Sequence, residues 1–211
     1  MKHILLTAYR RTGKDYFAAI LQGKQVPHFK WLAYRPPNVQ GVKLKIQPYK
    51  QMSYAKALKI ETSNIFEIPE FVSDAEKDVP QYIHKDTGAL VSARDLYIEI
   101  GAKRRAQSLD YWVKFVCDDY DQSPPETVAV ITDWRFPNEL LYTRQRYTAP
   151  EDVVTVRLFR SDVPIPPADV DSEHSLDAEA TDILLVPSHE DFVVAKTLFP
   201  QYSDYVEAES Y

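Results

Sequence analysis

The sequence predicts an α/β fold in which a mainly parallel central sheet is flanked by helices. Three observations carry that expectation. HILLTA (residues 3–8) is a short apolar run that passes through a loop into an amphipathic stretch. TVAVITD (127–133), VVTVRLFR (153–160) and ATDILLVP (180–187) are rich in β-branched residues and bounded by Pro, Asp or Ser, which marks strands. Helical stretches at 138–147 and 189–198 separate or follow these strands, and alternating β and α segments favour a parallel sheet.

Taken in order, residues 3–8 form the first strand and Lys14 to Gln22 the first helix. Tyr16, Phe17, Ile20 and Leu21 share one helix face, and Gly23 is placed to cap it. Prolines 27, 36, 37 and 48 break up the next region, where FKWLAY and VKLKI read as a hairpin joined by PPNVQG. Lys50 to Lys59 reads as helix, 61–90 as an irregular acidic connection, and Ser92 to Arg105 and Tyr111 to Tyr120 as two more helices. SDVPIPPADVDSEHS (161–175) is a proline-rich loop, and 203–211 an acidic, flexible tail. The expectation is a single domain over 1–211, with no internal repeat and no linker.

Composition narrows the function classes. A net charge of −6 argues against wrapping a nucleic-acid polymer, although a small anion needs only a local cluster of cations. The lone cysteine, Cys117, excludes an internal disulfide framework and a cysteine-based zinc site, and fits a reducing, cytoplasmic compartment. No apolar stretch approaches the roughly 20 residues of a spanning helix, so no membrane partner is expected. The N-terminus is expected to be mature protein, its apolar run being too short for a secretory signal.

AYRRTGKD (8–15) nearly matches the phosphate-binding pattern G-x-x-x-x-G-K-[ST], with Ala8 at the first glycine and Asp15 at the hydroxyl position. Such a loop works because backbone N–H groups, the positive end of the next helix and one lysine converge on an anion. Thr12, Gly13, Lys14, Asp15 and Tyr16 are the expected binding positions, with Lys14 supplying the ammonium. Ala8 would carry a cost if its φ were positive. A carboxylate at position 15 repels a triphosphate unless a cation lies between them, which makes Asp15 a candidate Mg²⁺ ligand.

Asp133 closes an apolar strand, and Arg135 follows two residues later. In an open parallel sheet both would lie beyond the carboxyl ends of the strands, where ligands bind. Asp133 is thus a second candidate Mg²⁺ ligand, and Arg135, with Arg11 or Arg160, a candidate for stabilising charge on a transferring phosphoryl group. Each has an ordinary alternative, since Asp forms turns and arginines solvate surfaces. Trp112 and Tyr111 suit base stacking, though aromatic residues in helices more often belong to a core.

With these residues in place the sequence resembles the deoxynucleoside monophosphate kinases of large DNA bacteriophages and, more distantly, animal phosphomevalonate kinase. Both families use a loop ending in G-K-D, here Gly13-Lys14-Asp15. The order continues through P-x-K (Pro48, Lys50), S-x-R-x-L (Ser92, Arg94, Leu96), Gly101, Y-W-V-K (Tyr111 to Lys114), D-x-R (Asp133, Arg135) and S-E-x-x-L (Ser172, Glu173, Leu176). The resemblance implies a P-loop NMP-kinase-like three-layer sandwich, ATP with Mg²⁺ as donor and a deoxynucleoside monophosphate as acceptor, in host cytoplasm if the source is viral. It implies an acceptor-binding insert within 24–125 and a lid at 161–175. It makes Lys50, Arg94, Trp112, Asp133 and Glu173 substrate-binding candidates, and it leaves a homodimer open. Ala8, Tyr16 after the aspartate, the hairpin before Lys50 and a lid without basic residues depart from the family pattern. Two alternatives stand beside this reading: a kinase for another small phosphorylated acceptor, such as phosphomevalonate, and a nucleotide-binding protein without turnover.

Overall fold

The computed structural model describes residues 2–28, 30–39, 44 and 49–211, which divide into two compact units, Met1–Met52 with Ser123–Tyr211, and Ser53–Gln122. The chain runs β1 (His3–Thr7), α1 (Lys14–Leu21), β2 (Leu32–Arg35), β3 (Lys50–Met52), α2 (Tyr54–Phe66), β4 (Tyr82–Ile83), β5 (Leu90–Val91), α3 (Ala93–Gln107) and α4 (Tyr111–Asp121). It continues β6 (Ala129–Ile131), α5 (Pro137–Arg146), β7 (Val153–Leu158), α6 (Asp171–His174), β8 (Ile183–Val186), α7 (His189–Leu198) and β9 (Val206–Ser210).

In the first unit the described strands form one sheet in the order β3-β6-β1-β7-β8-β2-β9. Strands β3, β6, β1, β7 and β8 pair in parallel, whereas β2 is antiparallel to both β8 and β9. HILLT, AVI, VVTVRL and ILLV are buried at every position, as expected of strands covered on both faces. Strand alternation shows the two layers directly. Ile183 and Leu185 pack with Phe17, Ala18 and Leu21 of α1, while Leu184 and Val186 pack with Phe192 and Ala195 of α7. The architecture is therefore α/β with a mostly parallel sheet flanked by helices.

Several elements differ from the sequence reading. Lys50 opens strand β3, and the helix begins only at Tyr54, where the Ser53 side chain accepts the Lys56 amide at 3.2 Å; it then runs to Phe66. FKWLAY supplies β2, but it pairs with β8 and β9, and VKLKI and Pro48 lie outside the described residues except for Leu44. Within the acidic segment 203–211, Val206–Ser210 is strand β9. Trp31 and Tyr211 exchange backbone hydrogen bonds at 2.8 Å each, and the Tyr211 hydroxyl accepts from the Leu44 amide at 3.2 Å, so backbone pairing and an aromatic anchor hold it. The charge of Glu207 suits a strand at the end of the sheet order, where further pairing must be discouraged.

The second unit holds α2, α3 and α4, packed pairwise against one another, and the β4-β5 hairpin. It falls inside the interval 24–125, but β2 and β3 of that interval belong to the sheet. Ser92 and Asp95 form a reciprocal capping box at the start of α3. Glu61 of α2 receives the Arg104 guanidinium of α3 and, at 3.0 Å, the Tyr111 hydroxyl of α4. Among the described residues no helix is long and apolar enough to cross a membrane.

Candidate active site at the carboxyl end of the sheet

Residues 8–13 link β1 to α1 in the middle of the sheet. Arg11 has φ 71° and Gly13 φ 101°, so two left-handed residues fold the loop back over the helix start. Nothing lies within 4 Å of where a Cβ on Gly13 would sit, so glycine is required there by its φ rather than by crowding. Ala8 is not among the non-glycine residues with positive φ, which are Arg11 and Glu67 within the described chain. The alanine at the first glycine position therefore carries no backbone strain; its methyl group packs against the core beneath the loop.

No side chain caps α1, whose first-turn N–H groups at Lys14, Asp15 and Tyr16 have no intrahelical acceptor. The Thr12 amide instead closes a turn onto Tyr9 O at 3.3 Å. Lys14 Nζ donates to Ala8 O at 2.6 Å and approaches Tyr9 O at 3.5 Å, which places the ammonium directly over the loop. Burial first, then the neighbouring Arg135, push this lysine below its ordinary pKa, while Glu173, Asp15 and Asp133 act in the opposite direction. Lys14 thus shares one electrostatic environment with four other charged residues named by the sequence.

The strand register explains this grouping. Ile131 of β6 pairs with Leu5 of β1, so Asp133, two residues on, stands level with the end of β1 and the loop. Glu139, buried at the third position of α5, accepts the Arg135 amide at 2.9 Å and the Phe136 amide at 3.0 Å, fixing the turn that presents Arg135. Arg135 Nη1 donates to Glu173 Oε1 at 2.9 Å, and the Arg10 amide donates to Glu173 Oε2 at 2.9 Å. The Ser175 hydroxyl donates to the Arg135 carbonyl.

Behind the loop, Asp177 gathers a second network. Tyr9 Oη donates to its Oδ2 at 2.8 Å, His174 Nδ1 lies 2.7 Å from the same oxygen, and Arg157 Nη1 reaches Oδ1 at 3.4 Å. Burial, then the Asp177 bond, hold the Tyr9 phenol well above its ordinary pKa, so it remains a donor. Sequence reasoning missed Tyr9, Glu139, His174 and Asp177 as organisers of this end of the sheet. Only Glu139 had a local signal, its place as the third helical residue after Pro137.

Other candidates lie elsewhere. Lys50 pairs with Ala129, which pairs with His3, so it sits at the amino end of the sheet, four residues or about 13 Å from the loop end. Its ammonium donates to Ser123 Oγ at 3.0 Å. Arg160 is ion-paired with Asp162 at 2.6 Å, which answers its charge locally. The Tyr16 ring faces away from the loop: its hydroxyl donates to Val26 O at 2.8 Å and accepts the His28 amide at 2.9 Å, leaving only its amide for a ligand. Arg11 is exposed, with no hydrogen bond or ion pair among the described residues. In the second unit Arg94 pairs with Asp78, and Trp112 is buried with its indole N–H unpartnered among the described residues.

Asp15 is exposed and Asp133 half-buried. Among the described residues no group of three or more His, Cys, Asp or Glu side chains forms a metal cage. Two carboxylates at a loop mouth match the sparse protein contribution typical of Mg²⁺, which draws its remaining ligands from phosphate and water. No protein-family model matches the chain, and no curated protein matches it.

Proposed function

We propose that the chain is a kinase that transfers the γ-phosphoryl group of ATP to the 5′-phosphate of a deoxynucleoside monophosphate. One observation carries the reading: a lysine lying over a left-handed loop, at an uncapped helix start, shares its surroundings with Asp15, Asp133 and Arg135. The first-turn amides of α1 and the Lys14 ammonium hold the β- and γ-phosphates. For this, Lys14 exchanges its bonds to the Ala8 and Tyr9 carbonyls for phosphate oxygens, a short movement for a flexible side chain.

Asp15 and Asp133 would hold Mg²⁺, which supplies charge neutralisation between the phosphates when bound. Arg135, held by the Glu139-ordered turn, stabilises charge on the transferring group. In phosphoryl transfer of this kind, positioning and electrostatics supply most of the rate. Arg94 and Trp112, the acceptor-binding candidates of the resemblance, lie in the second unit, where Asp78 pairs with Arg94 and Trp112 is a core residue, so neither supports the choice of acceptor. Lys50, at the amino end of the sheet, is better understood as a structural residue of β3.

An assay of ADP release with ATP, Mg²⁺ and a panel of deoxynucleoside monophosphates, with phosphomevalonate as a separate arm, tests the reading. ADP formation with one or more of the nucleotides is the expected result. Nucleotide binding without turnover on any acceptor removes the kinase assignment, and turnover with phosphomevalonate alone changes the substrate.

A further inference from the structure

We propose that the Glu173 carboxylate occupies the position that the transferable phosphoryl group takes on the loop, and that a triphosphate binds by displacing it. The proposal rests on the phosphate-loop reading above and names the donors of that site.

The carboxylate draws on the two kinds of donor a phosphoryl group would use. Oε2 accepts a loop amide, that of Arg10, and Oε1 accepts the Arg135 guanidinium, each at 2.9 Å. Lys14 lies within its electrostatic reach. Glu173 is thus an anion on the anion-binding face of the loop, supplied by a residue 163 positions away in sequence.

The arrangement is built for exchange. Glu173 is carried on α6, a four-residue helix, rather than on a strand or long helix. The Arg135 side chain is 42% exposed, so water reaches the pair from the arginine's side, while the Glu173 side chain, 10% exposed, must be drawn out by the incoming anion. The residues just downstream are fixed independently: Ser175 on the Arg135 carbonyl, and Asp177 on Tyr9 and Arg157. Glu173 can therefore leave by rotation of its own side chain without unfastening the segment that bears it. Once it leaves, the Arg10 amide and the Arg135 Nη1 that bonded it can turn to the incoming phosphoryl oxygens.

A carboxylate in that position opposes a triphosphate more than a diphosphate, because only the γ group needs the place it holds. The protein would thus favour ADP over ATP unless binding of the rest of the triphosphate displaces Glu173. Replacing Glu173 by Gln keeps the shape and removes the charge.

The test measures binding of Mg²⁺ with a β,γ-imido ATP analogue, and of Mg²⁺ with ADP, to wild type, Glu173→Gln and Glu173→Asp by calorimetry. Glu173→Gln should bind the triphosphate analogue about ten-fold more tightly, an ordinary size for a competitive coupling, with ADP affinity unchanged. Glu173→Asp, too short to reach both donors, should shift the same way although its charge remains, and it serves if the glutamine variant does not fold. The Arg10 amide resonance supplies a direct readout. It should move on triphosphate binding to wild type and stay in place with ADP.

Unchanged or weaker triphosphate binding in both variants overturns the proposal, as does equal tightening for ADP and the analogue. Absence of any nucleotide binding in all three proteins overturns the phosphate-loop reading together with it. Normal binding and the expected ten-fold preference, without ADP release on any acceptor, leaves the displacement standing and removes only the kinase assignment.

Discussion

Two arginine–carboxylate pairs, one in each unit, use the same chemistry for different ends. In Ser53–Gln122, Glu61 receives Arg104 and Tyr111 from two other helices, and the Arg104 guanidinium also lies 5.2 Å from the centre of the Tyr111 ring. In the sheet unit, Glu173 receives a loop amide and the guanidinium of Arg135, beside a lysine that donates to loop carbonyls. The first carboxylate joins three helices to one another. The second uses donors that an anionic ligand would also need. Removing the first should therefore lower stability, and changes around the second should alter binding and turnover while the fold persists.

The strongest way to break the comparison is at Lys14. Lys14→Ala removes the ammonium that lies over the loop and should lower ADP release by about a thousand-fold or more, with the circular-dichroism spectrum and melting midpoint close to wild type. A large loss of stability would mean that Lys14 is a fastener like Glu61. Near-normal turnover would mean that the loop does not hold the donor.

Next in size is the contrast between two arginines that the sequence treated alike. Arg135 faces the loop environment, whereas Arg160 is neutralised by Asp162 two residues away. Arg135→Ala should reduce kcat by about a hundred-fold, and Arg160→Ala by less than about three-fold. The reverse order in steady-state kinetics would return the charge-stabilising role to Arg160.

That contrast shows what the sequence could reveal. β1, the loop, α1 and the three later strands were legible because each is a local pattern: an apolar run, a Gly-Lys pair after it, or β-branched residues between turn formers. Strand β3, read as helix, is only Lys-Gln-Met, a polar edge segment whose strand character comes from pairing with β6. Segment VEAES reads as an acidic tail until β2 pairs with it and Trp31 and Tyr211, just outside the two strands, exchange backbone bonds. Of the site, Lys14, Asp15, Asp133 and Arg135 follow from motif and strand ends. The partner choices do not, because Glu173 meets Arg10 across 163 positions and Arg135 across 38, and no periodicity encodes such a meeting.

A smaller effect is expected on the structural side of the comparison. Glu61→Gln removes the charge that Arg104 and Tyr111 share, and should lower the melting midpoint by about a few degrees. If the midpoint does not move, the surrounding helix packing alone holds α2, α3 and α4 together, and Glu61 is no fastener.

The smallest expected effect concerns pH, at the network behind the loop. His174 Nδ1 lies 2.7 Å from Asp177 Oδ2, and its Nε2 lies 3.0 Å from Pro166 O and 3.2 Å from Pro167 O. Both ring nitrogens face acceptors, so the imidazolium satisfies them better than either neutral tautomer. The Asp177 hydrogen bond raises the histidine's pKa; burial opposes it, and the proline carbonyls and the Asp177 charge assist. Tyr9 and Arg157 face the same carboxylate, the first as a neutral donor and the second as a cation that competes for it. With the folded value above the unfolded one of about 6.5, the contribution is fully present below that pH and is lost as pH rises through the folded value. The melting midpoint of His174→Ala should therefore fall below wild type by about a degree or two at pH 5.5, with the gap closing by pH 9. A gap that widens with pH would mean that neutral His174, rather than its cation, holds the network, and that the fastening behind the loop does not depend on this proton.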